Sequence, residues 1–323
     1  MKTCWIAAAA LAATATTAAQ AQTKWDLPSG YATNTLQVQN LQWFADEVAK
    51  ASAGKLKITL HPNASLFKAN EIKRAVQSGQ TAIGEFILSS AANEHPMFGL
   101  DSIPFLATSY AEAKKLDEVS HPQLERTLKE QGLKLLYTVP WPPQGLYSIK
   151  PVASMSDLKG TKMRAYNPAT SRIAEYVGAQ PVTIQLAELP QGLATGTVQT
   201  FLTSSASGVD SKLYEQVKYF YDVNAWLPRN AVVVNQAAFD SLDKPTQAAV
   251  LKVAADAGKR GWQISEQKDG EYMKELAAKG MTVDTTSEGL KRELKVIGGR
   301  MTVEWLKTAG DEGKAIIDAF QRK

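Results

Sequence analysis

The segment Leu158-Lys159-Gly160-Thr161-Lys162-Met163-Arg164-Ala165-Tyr166 sets one arginine on a short strand just after a turn. On an alternating strand Lys162, Arg164 and Tyr166 share one face and Met163 and Ala165 the other. A methionine packed in the core therefore turns the arginine toward a cleft. A guanidinium suits a carboxylate, because its planar fork presents two parallel donors and partial burial strengthens both bonds. A surface arginine paired with an acidic neighbour is the ordinary alternative, since arginines are mostly exposed. Bond-breaking chemistry has no comparable footing. His61, His95 and His121 are isolated, without the His-Glu-x-x-His spacing that brings zinc ligands together, so surface or loop-capping roles are expected. Ser-x-x-Lys occurs at Ser52/Lys55, Ser65/Lys68 and Ser156/Lys159, each at a turn or helix end where both residues are common. No nucleophile elbow, P-loop or dinucleotide fingerprint is present. The expectation is a binding protein with no catalytic residue, metal or cofactor.

Composition narrows the setting. Lys2, the small apolar run Ile6 to Ala19 and the closing Ala19-Gln20-Ala21 read as a secretory signal over residues 1–21. The run is Ala/Thr-rich and shorter than the roughly 20 strongly apolar residues of a spanning helix. The single cysteine, Cys4, lies within it, so the mature chain is expected to be periplasmic and without a disulfide or thiolate site. The 36 Lys and Arg against 32 Asp and Glu give a net charge of +4, spread along amphipathic stretches. That distribution excludes a nucleic-acid footprint and mildly favours anionic ligands.

The elements that must hold the arginine alternate in type. Lys24 to Leu27 reads as a strand, a helix carries Leu36, Leu41, Phe44, Val48 and Ala51, and Leu56 to Leu60 alternates as a half-buried strand. A helix over 70–78, a strand over 82–88, a Ser89-Ser90 loop, a helix over 109–131 and a strand over 134–138 follow. Trp141-Pro142-Pro143 breaks the rhythm, because adjacent prolines cannot continue a helix and fit poorly in a central strand. The first crossing between domains is expected near Leu146 to Lys150. A second unit then runs through the Met163 strand, a helix over 170–177, a strand over 181–184, a helix over 188–195 and a strand over 198–202. The polar stretch 203–208 reads as a loop beyond that strand's carboxyl end, where open α/β sheets bind ligands. Strand-like stretches follow at 218–223 and 226–235. A long amphipathic helix over about 245–278, with Val250, Val253, Ala254, Ala257 and Trp262 as its stripe, is long enough to cover both domains.

The ordered set of segments is specific. After the strand at Trp25 come Phe44-Ala45-Asp46-Glu47-Val48, Gly54-Lys55-Leu56-Lys57-Ile58, Pro62-Asn63-Ala64-Ser65-Leu66 and Ala75-Val76-Gln77-Ser78-Gly79. Then follow Ile103-Pro104-Phe105-Leu106, Leu158 to Arg164, Ala194-Thr195-Gly196-Thr197-Val198 and Val234-Asn235. Together they resemble the DctP family of extracytoplasmic solute receptors of TRAP transporters. The resemblance implies an α/β, two-lobed periplasmic-binding-protein fold with a hinge between lobes and a long C-terminal helix spanning both. It implies lobe I over 22–148 plus about 229–265, and lobe II over 149–228 plus about 266–323. It also implies that an organic acid is bound in the inter-lobe cleft and delivered to a TRAP membrane permease, and that the arginine of the Lys-Gly-x-Lys-x-Arg segment, Arg164, binds the ligand carboxylate. The family's asparagine in a following Asp-Gly-x-Glu-Asn-Pro loop is replaced by Thr203, whose hydroxyl still donates a hydrogen bond.

Thr203 and Ser204 are thus expected beside the carboxylate. Tyr31, Trp141, Tyr166, Phe201 and Trp226 are expected to enclose the ligand, although core packing is the ordinary role of any one of them. Asn34, Glu71, Ser89, Ser90, Asn167 and Arg229 are candidate polar contacts at the rim, whereas Arg172 reads as a surface helix residue. The aromatic set suggests an aromatic or otherwise apolar acid. A secreted hydrolase, a sensory ligand-binding domain and a receptor for metal or phosphate are the alternatives, each lacking its nucleophile, membrane span or ligand cluster.

Overall fold

The computed structural model describes residues 22–322; the expected signal segment and Cys4 lie outside them. The first half runs β1 (Thr23–Pro28), α1 (Leu36–Ala51), β2 (Leu56–His61), α2 (Ile72–Gln77), β3 (Ile83–Ile87), α3 (Tyr110–Glu130) and β4 (Leu133–Pro140). The second runs β5 (Gln144–Ser148), β6 (Lys162–Ala165), α4 (Pro168–Tyr176), β7 (Gln180–Thr183), α5 (Leu189–Ala194), β8 (Thr200–Ser204), α6 (Ser205–Asp210) and β9 (Tyr219–Tyr221). The chain closes with β10 (Arg229–Asn235), α7 (Gln236–Asp240), α8 (Lys244–Ala278), β11 (Thr282–Asp284) and α9 (Glu288–Gln321).

The strands form a parallel β1-β2 pair, a sheet ordered β3-β10-β4, and a six-stranded sheet ordered β11-β9-β5-β8-β6-β7. The first two build one lobe and the third the other. The chain passes to the second sheet at Trp141–Pro143, because Gln144 to Ser148 already pair with β8. The crossing thus falls several residues before the expected Leu146–Lys150, at the prolines themselves. It returns when Arg229 pairs with Pro140.

Hydrophobic periodicity and caps place the helices. Leu36, Leu41, Phe44 and Val48 of α1 are buried, and the Thr35 side chain accepts from the Val38 N–H at its start. Asp243 caps α8 in the same way, accepting from Thr246. This helix packs on α1 and β4 of one lobe and on α6 and β11 of the other, so it spans both. α9 is broken at Gly310, whose φ of 59° and ψ of −147° suit only a residue without a Cβ. Expected to lie with lobe II, α9 reaches back to lobe I as well. Trp305 donates to the Pro96 carbonyl at 2.8 Å, and Gln123 of α3 donates to Glu312 at 2.9 Å.

The stretch 203–208, expected as a loop, is instead the end of β8 and the start of α6. The Ser204 hydroxyl accepts from the Ser207 N–H and caps that helix. Short polar residues favour caps as much as loops, which is why composition alone read the stretch as irregular. No helix among the described residues is long and apolar enough to cross a membrane.

Candidate functional site

A cavity between the lobes is lined by Gly30, Tyr31, Ala69, Ile87, Trp141 and Pro228 from one side, and by Gln144, Arg164, Tyr166, Gln185, Leu186, Thr203 and Ser207 from the other. Its volume is about 40 Å³, counted as room for the centres of water-sized spheres. Since roughly 10–15 Å³ on that measure holds one water, it suits a compact molecule. The turn at Gly30 closes directly on Ala69: a Cβ at position 30 would stand 2.5 Å from the Ala69 Cβ.

Arg164 reaches this cavity as the strand alternation requires. Met163 is wholly buried in the core, while Arg164, on the opposite face of β6, is 3% exposed and lines the cavity. Its Nε donates to the Ile184 carbonyl at 3.0 Å, and its guanidinium lies 5.0 Å from the centre of the Tyr166 ring. Both terminal nitrogens carry no hydrogen bond to a described residue. Burial pulls Arg164 down from 12.5 to about 10, opposed by the fields of Tyr166, Tyr31 and Glu188, so it is cationic at neutral pH. It is the one charged side chain of the lining. Arg229 differs: it donates from backbone and side chain to Asp101, at 3.0 and 3.1 Å, and its Nη1 donates to Asp117.

Around the guanidinium stand an aromatic wall and a set of amides and hydroxyls. Tyr31 and Trp141 meet edge to face with centres 5.0 Å apart. The Tyr166 hydroxyl donates to Gln144 Oε1 at 3.3 Å, and Gln144 Nε2 donates to the Pro142 carbonyl at 3.2 Å. Thr203 on β8 and Ser207 on the first turn of α6 complete the lining from the second lobe.

Of the residues expected from sequence, Arg164, Thr203, Tyr31, Trp141 and Tyr166 come together at the cavity. The remainder have other employment. Phe201 stacks on Tyr147 at 4.9 Å in the core of the second lobe, and Trp226 is wholly buried in the larger core. Phe201 and Thr203 share one face of β8, but Phe201 lies deeper along the strand against Tyr147 while Thr203, nearer its end, meets the cavity. Ser204 is wholly buried and caps α6. Arg229 is held by two carboxylates. Asn34 donates to the Asp210 carbonyl at 3.0 Å, Glu71 accepts from the Lys68 N–H, and Ser90 donates to the Ile87 carbonyl. Ser89 accepts from Asn167 at 2.8 Å, a buried bond between the lobes, while Asn167 also caps α4. Arg172 is exposed and paired with Glu175 and Glu304, as a surface residue is expected to be.

Gly30, Ala69, Ile87, Gln144, Gln185, Leu186, Ser207 and Pro228 escaped the sequence reading. Only Pro228 and Gln144 carried a signal, by bordering the two crossings. The histidines take ordinary roles: His61 bonds Asp26 at 2.8 Å, and His95 accepts from the Met97 N–H. No group of three or more possible metal-binding side chains occurs among the described residues.

Residues 29–297 match the family model of the bacterial extracellular solute-binding proteins, family 7, DctP. A Bordetella pertussis extracytoplasmic solute receptor binding pyroglutamic acid is 51% identical and superposes with a TM-score of 0.92, over 93% of this chain and 100% of that one. A TRAP solute-binding protein from a marine metagenome, specific for pyroglutamate and crystallised with co-purified pyroglutamate, is 42% identical. Its TM-score is 0.92, over 94% of this chain and 99% of that one. The 2,3-diketo-L-gulonate-binding periplasmic protein of Escherichia coli is 29% identical over 283 residues, 85% of each chain.

Proposed function

The chain belongs to the DctP family of extracytoplasmic solute receptors, which bind rather than transform their ligands, and from that premise we propose that it is a receptor for pyroglutamate. The observation that carries the reading is the single charge of the cavity lining. Arg164 is buried, cationic and without a protein carboxylate against it. One such guanidinium asks for one carboxylate. A dicarboxylate would bury a second anion with no partner, at a cost of several kcal/mol. The cavity volume favours a small ring over an extended sugar acid.

An aromatic or purely apolar acid, suggested by the aromatic residues, fits less well. Gln144, Gln185, Thr203 and Ser207 also line the cavity; an apolar ligand would use none of their remaining hydrogen-bonding capacity, and a buried hydroxyl such as that of Thr203 left unanswered costs about 1–3 kcal/mol. A lactam offers one N–H donor and one carbonyl acceptor to such groups, and its methylenes suit the Tyr31 and Trp141 rings. The pyroglutamate ligands of relatives 51% and 42% identical support this choice.

In this reading Arg164 takes the carboxylate with help from the Thr203 hydroxyl, while Tyr31, Trp141 and Tyr166 enclose the ring. The ligand supplies the counter-charge that the buried guanidinium lacks. It therefore binds the closed form better than the open one and shifts the population toward closure. The closed receptor then hands the acid to a TRAP-type membrane permease from the periplasm, as its family membership supports. Titration calorimetry of the purified protein with pyroglutamate, succinate, gulonate and benzoate tests the ligand. Tight binding of pyroglutamate, with the other three weak, is expected; preference for any of them overturns the assignment.

A further inference from the structure

Asn230 lies in β10 behind the aromatic wall, fully buried and outside the cavity lining. Its Oδ1 accepts from the Trp141 indole Nε1–H at 2.9 Å and from the Tyr31 hydroxyl at 3.5 Å. Its Nδ2 donates to Glu85 Oε1 at 2.9 Å. The other Glu85 oxygen accepts from the Ser29 hydroxyl at 2.6 Å, and Ser29 Oγ accepts from the Tyr31 backbone N–H at 3.3 Å. The indole N–H only donates, so the amide must turn its oxygen to Trp141 and its NH₂ to the carboxylate. One amide therefore joins both rings of the wall to one buried carboxylate of β3.

We propose that Asn230 is a positioning residue of the solute site. Through Trp141 and Tyr31 it sets the shape that admits a compact ring acid, and Glu85 holds the amide in the one orientation that serves both rings. The affinity part of the argument rests on the pyroglutamate reading above; the orientation of Trp141 does not.

Two consequences follow from the chemistry. Leucine at position 230 matches the amide in size but neither donates nor accepts, so the Trp141 N–H and Glu85 would both be left unpaired in a dry interior. Burial also pushes Glu85 up from 4.5 to about 7, against the hydrogen bonds from Asn230 and Ser29. Tyr31 and Tyr137 face it from the β1–α1 turn and from β4, and burial holds both hydroxyls neutral. The charged groups of the surrounding strands and helix are engaged elsewhere. Asp26 of β1 pairs with His61, Lys73 of α2 with Glu94, and Arg229 of β10 with Asp101 and Asp117. Arg260 of α8, which faces Tyr137, is bonded to Asn40, and Asp210, raised to about 7 on the other side of Tyr31, has no bond to the Asn230 amide. Glu85 is the titratable group the amide touches, and the amide carries its state to the indole.

The test follows the Trp141 indole N–H resonance of the ligand-free protein across the neutral pH range, identified by its loss in Trp141→Phe, alongside calorimetry with pyroglutamate. In the wild type the resonance should titrate. In Glu85→Gln it should stay downfield and cease to titrate, because a neutral amide still accepts from Asn230. In Asn230→Leu it should move upfield, with affinity falling about tenfold or more. Trp141→Phe combined with Asn230→Leu should lose no more affinity than the worse single variant, since both break one coupling. An unmoved resonance in Asn230→Leu, or losses that add, overturns the proposal. Should Asn230→Leu fail to fold, a Trp141 titration that persists in Glu85→Gln overturns it equally. Resonances that behave as expected in a wild type giving no heat with pyroglutamate support the positioning role and withdraw the ligand.

Discussion

Arg164 and Arg229 are both 3% exposed, yet they do opposite work. Arg229 is surrounded by its own protein. Asp101 takes its backbone N–H and Nε, and Asp117 takes Nη1. Burial raises Asp101 and the arginine's charge pulls it back, so the cluster is an internally paired strut between β10, the Pro96–Ser102 turn and α3. Arg164 has a carbonyl and a ring but no acid. Burying a charge is expensive unless it is paired, so a chain that keeps Arg164 buried and unpaired holds an incomplete ion pair for the solute to finish. The lesson is that burial by itself does not separate a structural arginine from a binding one; the presence of protein carboxylates does.

The contrast can be broken by substitution. Arg229→Ala leaves the buried Asp101 and the half-buried Asp117 without their counter-charge, so unfolding in urea should show a loss of about 3–5 kcal/mol. If Asp101 and Asp117 tolerate that change, the strut reading fails. Arg164→Ala should cost about 2–5 kcal/mol of ligand binding, measured by calorimetry, while the ligand-free protein melts no lower than the wild type because an unpaired charge has been removed. A marked fall in its melting temperature would make Arg164 structural too.

A smaller effect comes from the second unbalanced charge near the cavity. Glu85 is pushed up from 4.5 to about 7 by burial, so its folded form holds the proton more tightly than its unfolded form. Its contribution to stability is full below about 4.5 and is lost as pH rises through about 7. Glu85→Gln should therefore be more stable than the wild type at alkaline pH, on the order of 1–3 kcal/mol, and the difference should shrink as pH falls through that window. Equal pH profiles of melting temperature in the two proteins would remove Glu85 as the cause.

Much of the scaffold was legible from local pattern. The alternation in Lys162 to Tyr166 placed Arg164 opposite a core methionine, and the spacing of Leu36, Leu41, Phe44 and Val48 marked the buried face of α1. These features repeat with the period of their own element, so neighbouring residues report them. The site was legible only in part. Of five aromatic residues expected at the ligand, Tyr31, Trp141 and Tyr166 line the cavity, whereas Phe201 and Trp226 pack in cores. An aromatic side chain is equally at home in either place, and its type does not reveal how far along its segment the opening between the lobes reaches.

The sequence by itself determined most of the element order as far as α8, the family and the face on which Arg164 stands, because each is carried by residues close together in the chain. Tertiary structure alone decided which arginine would be paired and which left for the solute. Asp101 and Asp117 lie 128 and 112 residues from Arg229, and Glu85 lies 145 from Asn230. No local period reports a partner at such a separation; only the packing of β10 between strands from elsewhere in the chain brings those groups into contact.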